Sequence, residues 1–236
     1  MTTLHFNTFA SAALPLALIL AAPALADDDH DHEEHYDVWV QTSGSQLATG
    51  GITHEGETLS SFRVFGAELG EDPDFPFSAF DPGFEMLDGT MGAGVSLALN
   101  IAGPVQQWNG GSFGSSLNTV TVTDGIDDMT SGLGYVSGPS FFETDPEGGF
   151  HSHLAMTVDG LSAGDAGIWL LPLTLSDPLG GLGESETFYF VFNLGLEESA
   201  HEAAIEWVEA NVIPAPGAMA LLVAGVAFGR RRRRRA

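Results

Sequence analysis

The chain has 236 residues, 44% of them hydrophobic, with 30 glycines, 16 phenylalanines, no cysteine, and 32 acidic residues against 7 basic ones for a formal charge of −25. That apolar content suits one domain of ordinary size, about 100–200 residues, and the missing cysteines exclude disulfide frameworks and thiolate metal sites. A nucleic-acid partner is excluded too: phosphate binding needs clustered Lys or Arg on the folded surface, whereas lysine is absent and six of the seven arginines stand together at the C-terminus.

Residues 1–26 carry no acid, run apolar from Ala10, and close on Ala24-Leu25-Ala26. This reads as a secretory signal peptide, cleaved before Asp27 and handled by Sec-type export machinery. The next ten residues, 27–36, form an acidic leader holding His30, His32 and His35, with too little apolar surface to fold alone.

The domain proper is expected over 37–211. Asp37-Val38-Trp39-Val40-Gln41-Thr42 reads as a strand, turns at Ser43-Gly44-Ser45 and returns through residues 46–52 as a hairpin. Further strands are expected over 59–69, 95–101, 118–123, 150–158, 167–175 and 187–194, most bounded by Gly, Pro or Asp. Val95, Leu97, Leu99 and Ile101 alternate onto one face, and the run Phe188-Tyr189-Phe190-Val191-Phe192 reads as a central strand covered on both sides. The stretch 71–91, with Pro73, Pro76, Pro82 and four phenylalanines, reads as a long loop packed by its rings. Ala200, Ala203, Ala204, Trp207 and Val208 recur at helical spacing over 197–210, predicting one amphipathic helix that docks by Trp207. At least eight short strands without βα alternation point to a mainly β fold, an antiparallel β-sandwich or jelly roll closed by a C-terminal helix.

After Glu209, the last acid, the sequence Val212-Ile213-Pro214-Ala215-Pro216 leads into an apolar segment of twelve residues, 217–228, and then Gly229 and Arg230, Arg231, Arg232, Arg233, Arg234 and Arg235. Positive charge beside an apolar segment keeps that flank in the cytoplasm. Twelve residues rise about 18 Å against a hydrocarbon core of about 30 Å, so the segment spans only as a short membrane helix helped by its flanks. Residues 212–236 resemble the bacterial PEP-CTERM protein-sorting signal, in which a Pro-Glu-Pro motif precedes a membrane helix and a terminal arginine cluster. Pro214 and Pro216 match the prolines, and Ala215 stands where the commoner motif has Glu. The resemblance implies recognition by an exosortase-like membrane protease, a transient inner-membrane anchor, and delivery to the cell surface or an exopolysaccharide matrix. Residues 27–213 hold all 32 acids and one base, Arg63, so their formal charge is 1 − 32, or −31. A polyanion of this size stays soluble and attracts divalent cations.

His151 and His153 are the leading metal candidates. Two residues apart on an expected strand, they project from one face while Phe150, Leu154 and Met156 project from the other. Such a pair grips Zn²⁺ or Cu²⁺ if a third ligand approaches, and the alternative is an exposed polar face. His30, His32 and His35 form a second, flexible chelator candidate, or else a solvated linker. For Ca²⁺, Asp72, Asp74, Asp124, Asp127, Asp128, Asp145 and Glu147 lie in turn-rich segments, but none has EF-hand spacing. Glu143 and Asp145 form a carboxylate pair of the kind glycosidases use, although pairs arise by chance among so many acids. Gly110-Gly111-Ser112-Phe113-Gly114 matches a nucleophile elbow by letter only and reads as a glycine-rich turn. Trp39, Trp108, Tyr135 and Phe141 offer rings for sugar stacking or for a core. The expectation is a non-enzymatic, exported β-domain with a structural or binding role and a cation site. The rival is a metal-dependent or carboxylate-based hydrolase acting on matrix polymer.

Overall fold

The hairpin expected at the start of the domain is the first element of the computed structural model, which describes residues 35–213. The signal segment, residues 27–34 with His30 and His32, and the tail from Pro214 through its arginines lie outside the described residues. Among the described residues the protein is mainly β with one C-terminal helix, and no helix is long and apolar enough to cross a membrane.

Strands β1 (Asp37–Ser43) and β2 (Gln46–Ile52) pair antiparallel around Gly44, whose φ of 63° serves the tight turn. β3 (Thr58–Ser60) pairs back onto β2, whereas β4 (Val64–Glu68) joins another sheet. The single strand expected over 59–69 is thus two, separated where Ser61 takes φ 63° and turns the chain. The expected loop over 71–91 contains β5 (Ser78–Ala79) and β6 (Phe84–Met86), both too short for a two-residue period to register in sequence.

There follow β7 (Ser96–Ile101), β8 (Gln106–Trp108), β9 (Phe113–Ser115), β10 (Thr119–Thr123), β11 (Asp128–Thr130), β12 (Phe142–Glu143), β13 (Phe150–Ser152), β14 (Ala155–Asp159), β15 (Gly167–Ser176), β16 (Phe188–Leu194) and α1 (Glu198–Asn211). The strand expected over 150–158 is also divided: β13 pairs with β6, β14 with β10, and His153 and Leu154 make the crossing.

The strands form three sheets, ordered β13-β6-β1-β2-β3, β11-β10-β14-β5 and β12-β7-β15-β16-β4, with the β8–β9 hairpin attached to β15. Two pairs, β1 with β6 and β16 with β4, are parallel, so the expected purely antiparallel pairing does not hold there. Each joins strands far apart in the chain, which frees them from hairpin geometry.

Alternation then assigns the faces. Trp169, Leu171, Leu173 and Leu175 of β15, with Phe188, Phe190 and Phe192 of β16, enter the main core, where they meet Val38, Val40, Phe84 and Met86 from the first sheet. Ile168, Leu170 and Val191 face the opposite way, onto Val64, Ala204 and Val208. Both faces of this sheet are therefore covered, as the continuous apolar run in β16 requires.

Helix α1 buries His201, Ala204 and Val208. At 3.6 residues per turn these share one stripe, and Trp207 lies at its border. Trp207 is partly buried and packs beside Trp108 and Phe113 of the β8–β9 hairpin at ring separations of 6.1 and 5.7 Å, so the expected Trp207 contact forms next to a buried stripe that also includes His201. Gly66 of β4 sets the depth of docking: a Cβ there would lie 3.1 Å from Ile205 Cδ1 and 3.2 Å from His201 Cε1. Gly66→Val is expected to lever the helix outward and cost about 1–3 kcal/mol, measured as a lower urea midpoint; an unchanged midpoint would contradict this docking.

Candidate metal centre

Strand β6 lies between β1 and β13, and the register sets Trp39 beside Glu85 and Glu85 beside His151. One step along, Gly83 lies next to Asp37 and His153. Its N–H donates to Asp37 Oδ1 at 2.6 Å, its carbonyl accepts from Val38 N–H at 2.9 Å, and a Cβ on it would fall 2.7 Å from His153 Cε1. Since Val38, Phe84 and Met86 fill the core, Asp37, Trp39, Glu85 and His151 face outward. The missing side chain at Gly83 is what lets the His153 ring lie flat against the strand.

His153 Nδ1 lies 3.0 Å from the Phe80 carbonyl oxygen and 2.9 Å from Asp81 Oδ1. Both neighbours are acceptors, so Nδ1 carries hydrogen and donates, and Nε2 is turned to the other side of the ring. That Nε2 is 2.8 Å from His151 Nε2, and His151 Nδ1 is 3.5 Å from Glu85 Oε2. A single hydrogen fits between the two facing nitrogens, and a metal ion can take its place. Asp37, His151 and His153 each offer a ligand atom, all within 4.8 Å of one another.

Zinc bonds of about 2.0–2.1 Å at a tetrahedral angle would set the two nitrogens about 3.3 Å apart, so the rings must part by about 0.5 Å. Side-chain exposures of 51% for His151 and 39% for His153 leave room for that movement. Carboxylates and a carbonyl behind the imidazoles, here Glu85, Asp81 and Phe80, are the kind of partners that orient histidine ligands. On the same outward face, Trp39 Nε1 is buried without a hydrogen-bond partner among the described residues.

The structure thus brings together His151 and His153, as their spacing predicts, and adds Asp37, which the sequence reading took only as the start of a strand. His35 is exposed, two residues before Asp37. His30 and His32 lie outside the described residues, as do Pro214, Pro216 and the arginines 230–235.

A second group, Glu68, Glu198 and His201, also has ligand atoms close together. There, however, the buried imidazole is already engaged at both nitrogens, Nδ1 to Glu68 Oε1 at 2.9 Å and Nε2 to the Val191 carbonyl oxygen at 2.8 Å. Two acceptors require two N–H donors, so His201 is an imidazolium joining α1 to β4 and β16, with no lone pair for a metal.

Three of the candidate calcium carboxylates, Asp72, Asp124 and Asp145, accept backbone N–H groups of their own turns. Asp124 Oδ1 accepts the N–H of Ile126 and of Asp127, and Asp145 Oδ1 accepts those of Glu147 and Gly149. The bonds from Asp127 and Ile126 hold the Asp124 carboxyl below its usual range. Gly110, Gly111 and Ser112 form the turn between β8 and β9, where Asn109 Oδ1 accepts from Gly111 and Ser112. Phe141 is buried in the main core while Trp108 packs on Phe113 and Trp207. No ring contact joins Trp39, Trp108, Tyr135 and Phe141 into one platform among the described residues.

No family model, curated protein or solved structure matches the chain.

Burial alone would drive the proton off His201, but the hydrogen bonds to Glu68 and the Val191 carbonyl, with the Glu68 charge, raise its pKa above the ordinary histidine value. A group whose pKa is higher folded than unfolded stabilises fully below the unfolded value, about 6.5, and that contribution fades as pH climbs through the folded value. Urea midpoints of the native chain should therefore decline relative to His201→Gln as pH rises from 6 to 9. Parallel profiles would contradict the buried imidazolium.

Proposed function

We propose that the protein is an exported, surface- or matrix-associated β-domain that holds a divalent transition metal at Asp37, His151 and His153, with a structural or binding role and no catalytic one. The observation that carries this reading is the pair of Nε2 atoms 2.8 Å apart beside the Asp37 carboxylate, one of them aimed by the Phe80 carbonyl and Asp81. Two nitrogen donors and one oxygen suit Zn²⁺ or Cu²⁺ better than Ca²⁺, which takes six to eight oxygens.

Export is supported by the residues themselves: an acid-free apolar start closing on Ala-Leu-Ala, an acidic body, and an arginine cluster behind an apolar segment. Pro214, Pro216 and Arg230 to Arg235 are read as the sorting signal, with Sec-type machinery and an exosortase-like protease as processing partners and an exopolysaccharide matrix as a destination. A β-sandwich arrangement is supported by the shared core between the β1-containing and β15-containing sheets.

The test is metal content after incubation of the full chain, kept in detergent, with Zn²⁺ or Cu²⁺ and removal of free ion. With His30→Ala and His32→Ala in the background, about one ion per chain should remain. Added metal at a hundredfold excess over Kd should stabilise the fold by about 2.7 kcal/mol, and His151→Ala with His153→Ala should abolish both effects while the apo chain melts unchanged. Equal metal content with and without the two histidines would refute the site. Replacing Arg230 to Arg235 by Ser should redirect the chain in cell fractionation; an unaltered destination would refute the sorting reading.

A further inference from the structure

Three ligand atoms leave a metal at the β1–β6–β13 edge one donor short of a tetrahedral shell. Just before the strand that delivers Asp37 stands one further histidine, His35. Tyr36 turns inward: its ring centroid lies 5.3 Å from that of Phe62, and a Cβ on Gly51, the residue paired with Val38, would meet Tyr36 Cδ1 at 3.0 Å. His35 precedes Tyr36 and stands two residues before Asp37, so their Cα atoms are at most about 7 Å apart. His35 is exposed and makes no hydrogen bond or ion pair among the described residues, so its imidazole gives up no contact in turning toward the site.

We propose that His35 is the fourth ligand, completing a His₃Asp shell around Zn²⁺ with Asp37, His151 and His153. This rests on the metal reading above and extends it. Closure has a chemical consequence: zinc sites that keep an open position activate water, whereas closed four-ligand sites hold structure. With His35 in place, the ion fastens the end of the acidic leader to the sheet edge, joining a chain segment to a strand more than a hundred residues away in sequence.

Zn²⁺ titration of the full chain by calorimetry, with His30→Ala and His32→Ala in every sample, tests the assignment. The background should bind one ion, and adding His35→Ala should weaken binding by about tenfold or more without changing the stoichiometry. His35→Asp, which can still ligate, should recover most of the loss. Zn²⁺ should also slow protease cleavage within 27–36 in the background and not in the His35→Ala chain. An affinity unmoved by His35→Ala, or equal cleavage in both, overturns the fourth ligand while leaving the three-ligand site standing. Absence of binding in the background overturns both readings.

Discussion

The carbonyl oxygen of Phe80 and the carboxylate of Asp81 together decide which nitrogen of His153 faces its neighbour. With Nδ1–H committed to them, Nε2 is the nitrogen turned toward the site, held in contact with a second imidazole and close to a carboxylate. Two imidazoles merely near each other on a strand would rotate independently and hydrate. Here the backbone at Gly83, which leaves space for the ring, and the acceptors behind it remove that freedom before any ion arrives. Pre-orientation of this kind is what the proposed ligand set would need from a pair of surface histidines.

The same logic of placing cationic groups against carboxylates runs through an otherwise anionic body. Arg63, the one arginine of the domain, meets Glu186 at 2.6 Å, and the buried imidazolium of His201 meets Glu68 where helix α1 lies on the sheet. These few charges do little against the total repulsion of a −31 segment, which is opposed chiefly by the core of phenylalanines, leucines and Trp169. The proposed divalent ion at the edge of the first sheet would add positive charge beside Asp37, Asp81 and Glu85.

Much of the fold is legible in the sequence because its signals are local. The alternation in β7, the apolar run in β16 and the helical spacing in α1 all declare themselves within a window of a dozen residues. The failures are equally physical. Nothing about Ser61 announces a positive φ, so β3 and β4 read as one strand, and the apolar pattern continues through His153-Leu154 while the chain changes sheets. Strands of two or three residues, such as β5 and β6, are too short for any period. The site divides along the same line. His151 and His153 advertise themselves by spacing, but Asp37, Gly83 and Glu85 reach them only through β6, which pairs with β1 in parallel and with β13 from the other side. No rule of sequence spacing predicts that register.

The most direct measurement is an anomalous difference map from crystals grown with Zn²⁺. The account predicts one strong peak about 2.0–2.1 Å from both His151 Nε2 and His153 Nε2, with the Asp37 carboxylate in the same shell and the rings parted from their 2.8 Å contact. A map with the imidazoles still in that contact and zinc bound elsewhere, or nowhere, would contradict it.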